Sequence, residues 1–137
     1  MAKKASKPKA QYAWVYSPTA TAAEKIKISQ EFEPIVAQIK SKLSPVPEPQ
    51  EYGQCIDIIS RWKGNFFYIM QVYKYPSGKN YIKESAEFGL VRLEFYGAGK
   101  FNMSYFRHTG QWVVTAQDVS TEDAKNSILN DPWFEIG

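Results

Sequence analysis

Residues 101–117 read FNMSYFRHTGQWVVTAQ, and this stretch decides the fold. Two runs of β-branched and aromatic residues flank Thr109-Gly110, which is the pattern of a β-hairpin. A two-residue turn at this point pairs Arg107 with Trp112 and Tyr105 with Val114. We therefore expect two antiparallel strands here, each with alternate side chains on opposite faces.

The predicted register divides the hairpin into two faces. The first face holds Phe101, Met103, Tyr105, Arg107, Trp112, Val114 and Ala116. The second face holds Asn102, Ser104, Phe106, His108, Gln111, Val113, Thr115 and Gln117. The first face is the more apolar, so we expect it to be the core side. A cation–π contact between Arg107 and Trp112 is expected at its rim.

The strand before the hairpin is predicted over 87–96, and a glycine loop at 97–99 joins the two. An even loop length would place Arg92 and Glu94 on the core face. An odd length places their apolar neighbours there instead, namely Val91, Leu93 and Phe95. Burying two charges without partners costs several kcal/mol. The odd register with a glycine bulge is therefore expected, and it adds Arg92, Glu94 and Tyr96 to the second face.

The remaining sequence predicts an α+β fold with an antiparallel sheet of about five strands in a meander. Strands over 54–63 and 66–75 meet at the hairpin signal Gly64-Asn65, and residues 76–80 form a loop. An N-terminal helical segment and a C-terminal helix pack on one face of the sheet, because an amphipathic helix needs a surface to bury against.

The N-terminal helix is predicted over 21–43. Thr21 and Glu24 have the spacing of a capping box. The apolar stripe of this helix consists of Phe32, Ile35, Val36, Ile39 and Leu43. Pro34 removes a hydrogen bond, so we expect either a kink near Gln30 or a second helix that begins near Glu33.

The C-terminal helix is predicted from its cap at Ser120 to about Asn130, where Asp131-Pro132 ends it. Trp133 and Phe134 are expected to fold back onto the core.

Composition and charge indicate one domain and limit the function classes. Four of the 17 basic residues lie in residues 1–10, which hold no acid, so the rest of the chain has 13 basic and 14 acidic residues. We therefore expect a disordered lysine-rich arm over 1–10 and a single α+β domain over 11–137. The sequence shows neither a signal peptide nor an apolar run that could cross a bilayer, and its single cysteine excludes an internal disulfide. A cytoplasmic location without membrane association is the expectation.

The sequence gives little support for a catalytic site or a metal site. One histidine and one cysteine are too few for a zinc site, and the acidic residues lack calcium-loop spacing. We predict no metal, no cofactor and no catalytic residue. The candidate binding face is the second face, and its polar members are Arg92, Glu94, Tyr96, Asn102, Ser104, His108, Gln111 and Thr115.

Three functions remain open for that face. The first is a small non-enzymatic binding or accessory domain, with a protein partner, a homodimer or an unidentified ligand. The second is a weak single-stranded nucleic-acid binder that uses the lysine arm with sheet aromatics and basic residues. Its candidates are Tyr68, Tyr73, Tyr75, Tyr96 and Phe106 with Lys74, Lys79, Lys83, Arg92 and Lys100. The third is a small enzyme with Glu94 and His108 as its acid–base pair.

The pattern R-L-E at 92–94, F-N at 101–102 and R-H-T-G-Q-W at 107–112 resembles a family of short bacterial proteins of unknown function. Asp57, Trp62, Gly64 and residues 131–134 share the resemblance, which covers about residues 50–135. The proline-bearing helix and the lysine arm depart from it. The resemblance implies a bacterial, cytosolic setting and no activity, cofactor or partner.

Overall fold

The computed structural model describes residues 19–43, 53–76, 85–97 and 99–136. The lysine arm predicted over 1–10 and most of the loop predicted over 76–80 lie outside these residues.

The five predicted strands form one sheet. They are β1 (Gln54–Lys63), β2 (Phe66–Lys74), β3 (Ser85–Phe95), β4 (Lys100–Phe106) and β5 (Trp112–Ser120). Each strand pairs antiparallel with the next, in the order β1-β2-β3-β4-β5. The α+β class and the antiparallel meander are thus confirmed. At the first hairpin, Gly64 has a φ of 58°, which glycine adopts without the strain that a Cβ would cause.

Helix α1 (Ala22–Lys40) begins at the predicted capping box. The backbone N–H of Glu24 donates to Thr21 Oγ1 at 3.1 Å, and the N–H of Thr21 donates to Glu24 Oε1 at 2.9 Å. The prediction of two helical pieces is wrong, because α1 continues without interruption through Pro34. Both Pro34 and Gln30 are exposed, so water can satisfy the carbonyl that proline leaves unpaired.

The buried stripe of α1 consists of Ile28, Phe32, Ile35 and Ile39. Val36 and Leu43 are partly buried at its margin. The predicted helical pattern is therefore confirmed.

The C-terminal segment contains helix α2 (Thr121–Asn130) and a short 3-10 turn (Pro132–Phe134). Ser120 caps α2 as predicted, because the N–H of Asp123 donates to its hydroxyl at 3.1 Å. Phe134 is buried in the core, as expected, whereas Trp133 remains 53% exposed and stacks on the ring of Tyr105 at 4.7 Å. Only one of the two aromatic residues therefore folds back into the interior.

The face of the sheet against α1 and α2 is named the covered face. Its fully buried side chains include Phe67, Ile69, Val91, Leu93, Phe101 and Met103. Phe32 of α1 packs between two of them, with ring centroids 5.7 Å from Phe67 and 6.1 Å from Phe101. A single core therefore joins the helix to the middle of the sheet.

The odd register between β3 and β4 is confirmed. Phe95 lies opposite Phe101, and Glu94 lies opposite Asn102. The backbone N–H of Lys100 donates to the carbonyl of Gly97 at 3.0 Å and closes the loop. The core face thus receives the apolar alternate residues of β3, and Arg92 and Glu94 lie on the other side, as the cost of burying charge predicts.

The register of the β4–β5 hairpin differs from the prediction by one residue. Phe106, rather than Arg107, lies opposite Trp112. The N–H of Arg107 donates to the carbonyl of Gln111 at 2.8 Å, so the loop has three residues, 108–110. Its last residue, Gly110, has a φ of 87°, as three-residue hairpins with a left-handed final position require.

This one-residue shift changes the face of β5 over residues 112–114, whereas Ala116 lies opposite Met103 and packs against the core as predicted. Val113 now lies opposite Tyr105, and Val114 lies opposite Ser104. The prediction of Trp112 and Val114 on the core face is therefore wrong. The expected contact between Arg107 and Trp112 is also wrong, because Trp112 instead lies beneath the guanidinium of Arg92 at 5.3 Å from its ring centroid.

Candidate functional site

The second face of the sheet, opposite α1 and α2, is named the open face, and none of the described helices packs on it. Its central side chains come from four strands. They are Phe66 and Tyr68 of β2, Arg92 and Glu94 of β3, Asn102, Ser104 and Phe106 of β4, and Trp112 and Val114 of β5. Most of these residues are only partly buried. The sheet thus presents large side chains to solvent on this side.

Four rings form an aromatic cluster on the open face, namely Phe66, Tyr68, Phe106 and Trp112. The ring centroid of Trp112 lies 5.6 Å from that of Tyr68 and 5.1 Å from that of Phe106. Phe66 extends the cluster, with its centroid 6.2 Å from that of Tyr68. These spacings lie in the range of favourable aromatic pairs, so the rings hold one another in place.

Trp112 reaches Tyr68 because β3 has a glycine between them. A Cβ at Gly89 would lie 2.4 and 2.5 Å from two carbons of the indole ring. The indole therefore rests on the bare backbone of β3 and crosses from β5 toward β2. A glycine inside a strand often marks such a close approach.

Arg92 lies within the cluster as its cation. Its guanidinium is 4.7 Å from the ring centroid of Phe66 and 5.3 Å from that of Trp112. Both distances are within the range of cation–π attraction. The Nε of Arg92 is buried and has no hydrogen-bond partner, and none of the ion pairs among the described residues includes this side chain.

A polar network lies at the end of the open face near the β3–β4 loop. The hydroxyl of Tyr96 donates to Asp118 Oδ1 at 2.6 Å. The N–H of Asp118 donates to Asn102 Oδ1 at 3.1 Å, and Asn102 Nδ2 donates to Glu94 Oε1 at 3.3 Å. Burial and the carboxylate of Asp118 raise the pKa of Tyr96 to about 12. The phenol therefore stays a proton donor and is no base at neutral pH.

The structure brings together five of the eight predicted site residues, namely Arg92, Glu94, Tyr96, Asn102 and Ser104. Ser104 is only 2% exposed, so it contributes packing rather than an accessible hydroxyl. Thr115 sits at a register shift of β5, where its hydroxyl contacts the carbonyl of Met103 at 3.5 Å.

His108 and Gln111 lie elsewhere, in the hairpin loop and at its base, because the loop is longer than predicted. His108 borders an open cavity of about 700 Å³ between the hairpin tip and β3. Glu87, Gly89 and Phe106 also line this cavity.

The proposed acid–base pair of Glu94 and His108 is not brought together. Glu94 lies opposite Asn102, and His108 follows Asn102 by six residues. At about 3.3 Å per residue, the two side chains are roughly 20 Å apart along the sheet. The cavity that His108 borders does not include Glu94. The geometry therefore gives no basis for an enzyme that uses this pair.

The nucleic-acid candidates are divided between the faces. Tyr68, Tyr96 and Phe106 lie on the open face, whereas Tyr73 packs against the core. Lys79 and Lys83 lie outside the described residues. Sequence reasoning placed Trp112 on the wrong face and did not single out Gly89. The signal for Gly89 was present, since it is an isolated glycine within a predicted strand.

Two structural findings concern metal binding and membrane insertion. Among residues 19–43, 53–76, 85–97 and 99–136, no group of three or more histidine, cysteine or acidic side chains could hold a metal ion. No helix in that same part of the chain is long and apolar enough to cross a membrane.

Comparison with known proteins identifies a family without a known activity. A family model described as a domain of unknown function, DUF3024, matches residues 26–133. No curated protein matches the chain, and no solved structure does. The matched range contains α1 from Ile26 onward, including Pro34, together with the whole sheet, α2 and the start of the 3-10 turn. The match confirms the resemblance to a family of unknown function. The chain belongs to the DUF3024 family.

Proposed function

We propose that this domain is a non-enzymatic binding module that holds a protein partner against its open face. The observation that carries the proposal is the aromatic cluster, which surrounds Arg92 on a face that the described helices leave uncovered. The stability of the fold alone does not explain why a tryptophan, a tyrosine and an arginine lie together in contact with water. A partner that buries these side chains would explain it.

The residue types match those that carry most of the energy in protein interfaces. Tryptophan, tyrosine and arginine are enriched among such hot spots, which cluster at the centre of a contact. Trp112, Tyr68 and Arg92 occupy the middle of the open face. Charged residues surround them, including Arg61, Lys63 and Glu87. A desolvated aromatic centre with a polar rim is the usual anatomy of an interface.

Single-stranded nucleic acid is the alternative ligand, because bases stack on exposed rings. Charge favours it less. Acidic Glu87, Glu94 and Asp118 lie among the basic side chains of the open face, and they would repel a phosphate backbone. A protein partner needs no such excess of positive charge. The cytoplasmic and bacterial setting stays a prediction from the sequence.

Site-directed photocrosslinking tests the proposal in cells that produce the protein. Val114 on the open face is 50% exposed, and Ile26 on α1 is 60% exposed, so the two positions are matched in size and accessibility. A photoreactive phenylalanine at position 114 should form a discrete covalent adduct with a protein. The same group at position 26 should not form that adduct.

The variant Trp112→Ala should reduce the adduct at position 114 severalfold, because the centre of the contact is lost. The mass of the adduct distinguishes a second copy of the chain from another protein. Equal adducts at both positions, or an adduct that is indifferent to Trp112→Ala, would rule out the open face as the interface. Nuclease-sensitive crosslinks to nucleic acid would favour the alternative.

A further inference from the structure

We infer that Arg92 is an anion-recognition residue that binds a single carboxylate from a peptide segment of the protein partner. This inference rests on the proposed function, because it concerns the same open face. It adds the chemistry of the ligand: an aspartate or glutamate side chain flanked by an apolar residue.

The two rings orient the guanidinium before any ligand arrives. Phe66 and Trp112 lie 4.7 and 5.3 Å from it, and both contacts restrict the side chain. A stacked guanidinium keeps its planar edge for hydrogen bonding, and that edge matches a carboxylate in bidentate geometry. Little conformational entropy remains to be lost on binding, so the site is preorganised.

The carboxylates of the open face already have other donors. Glu87 accepts from Arg61 at 2.6 Å, Glu94 accepts from Asn102 at 3.3 Å, and Asp118 accepts from Tyr96 at 2.6 Å. Arg92 has no ion pair with any described residue. A ligand carboxylate would therefore meet an arginine that pairs with none of these acidic side chains.

The buried Nε of Arg92 supports the same conclusion. It has no acceptor among the described residues, and a buried donor without an acceptor is destabilising. Each such group in a folded protein calls for an explanation, and a role of the side chain in binding is one that fits this position.

The surroundings favour a carboxylate on a peptide over a chain of phosphates. Glu94 and Asp118 lie beyond Arg92 on the same face, so a phosphate backbone that crosses it would meet two negative charges. A single carboxylate needs only one cation. An apolar neighbour on the peptide would find the aromatic cluster beside it.

Two tripeptides that differ in one group test the inference on the purified full chain. The first is N-acetyl-phenylalanyl-glutamyl-phenylalanine amide, and the second has glutamine in place of glutamate. NMR follows the Nε–H of Arg92 and the indole N–H of Trp112 during titration. The glutamate peptide should shift both signals and bind about tenfold tighter than the glutamine peptide, as expected for a hydrogen-bonded charge pair.

Three variants separate the role of Arg92 from general effects. Arg92→Gln should weaken binding of the glutamate peptide about tenfold, and Arg92→Lys should weaken it severalfold because the planar fork is lost. Lys27→Gln removes an exposed cation from α1, on the covered side of the sheet, and it should change affinity by less than twofold. An unchanged amide spectrum outside the cluster shows that each variant is folded.

Three outcomes would overturn the inference. They are equal binding of the two peptides, unchanged binding by Arg92→Gln, and no shift of either signal at millimolar peptide. Displacement of the glutamate peptide by an oligothymidylate of eight residues at lower concentration would assign Arg92 to phosphate instead. The crosslinking at position 114 does not depend on these peptides, so the proposed function can survive the failure of this inference.

Discussion

Phe66 and Phe67 are neighbours in β2, yet they lie on opposite faces of the sheet and have different surroundings. Phe67 is 1% exposed and packs against Phe32 of α1 and Trp62 of β1. Phe66 is partly exposed, and its ring contacts Tyr68 and Arg92 of the open face. The comparison indicates that aromatic residues on the covered face stabilise the fold, whereas those on the open face support one another and remain accessible.

The pair of variants Phe67→Ala and Phe66→Ala tests this difference most strongly. Phe67→Ala leaves a cavity in the core, and we expect it to lower the free energy of unfolding by about 3–5 kcal/mol. Phe66→Ala removes a ring that solvent already reaches, so about 1 kcal/mol is expected. Urea unfolding followed by tryptophan fluorescence measures both values. Equal losses would mean that the open face is as tightly packed as the core.

The sequence was sufficient to assign β3 to its faces, because charge decided between the two registers. Burying the charges of Arg92 and Glu94 would destabilise the fold more than a glycine loop of either length does. Only the register that keeps both side chains off the core face was therefore acceptable. The β4–β5 hairpin had no such constraint. Residues 112–116 read WVVTA and are apolar in either register, so the choice depended on loop length. A three-residue loop in place of a two-residue loop then moved Trp112 to the open face.

The sequence likewise predicted one part of the candidate site and missed another. Its polar half followed from the register of β3 and included Arg92, Glu94 and Asn102. Its aromatic half depended on the packing of the Trp112 indole against Gly89. No pattern in the sequence predicts which aromatic ring packs against a glycine within a strand. The sequence therefore indicated the correct face but missed the cluster at its centre.

Gly89→Ala tests whether the cluster needs the bare backbone of β3. The new methyl group would lie within 2.5 Å of two indole carbons and 3.0 Å from the Cβ of Phe106, so Trp112 must move. We expect a loss of about 1–3 kcal/mol in the free energy of unfolding, as for other overpacked sites. The indole N–H of Trp112 and the Nε–H of Arg92 should shift together in the NMR spectrum.

A double-mutant cycle with Trp112→Ala serves as the control for that prediction. Without the indole, the two closest contacts of the alanine methyl group at position 89 are gone and the contact with Phe106 Cβ at 3.0 Å remains, so its cost should fall to well under half of the value in the wild-type background. An undiminished cost would place the constraint in the backbone of β3 instead of in the aromatic cluster.

The smallest effect is expected from Tyr96, at the polar end of the open face. Burial and Asp118 raise the pKa of this phenol to about 12, from an ordinary value of 10.0. The folded protein therefore keeps a proton that the unfolded chain releases between these two values, so the contribution of Tyr96 to stability is constant below pH 10 and falls as the pH rises toward 12. Tyr96→Phe should remove that part of the decline, and Asp118→Asn should lower the pKa toward 10 because the carboxylate charge is gone.

The phenolate absorbance of the wild type minus that of Tyr96→Phe isolates this residue. An identical loss of stability above pH 10 in both proteins would show that the titration of Tyr96 is not coupled to folding.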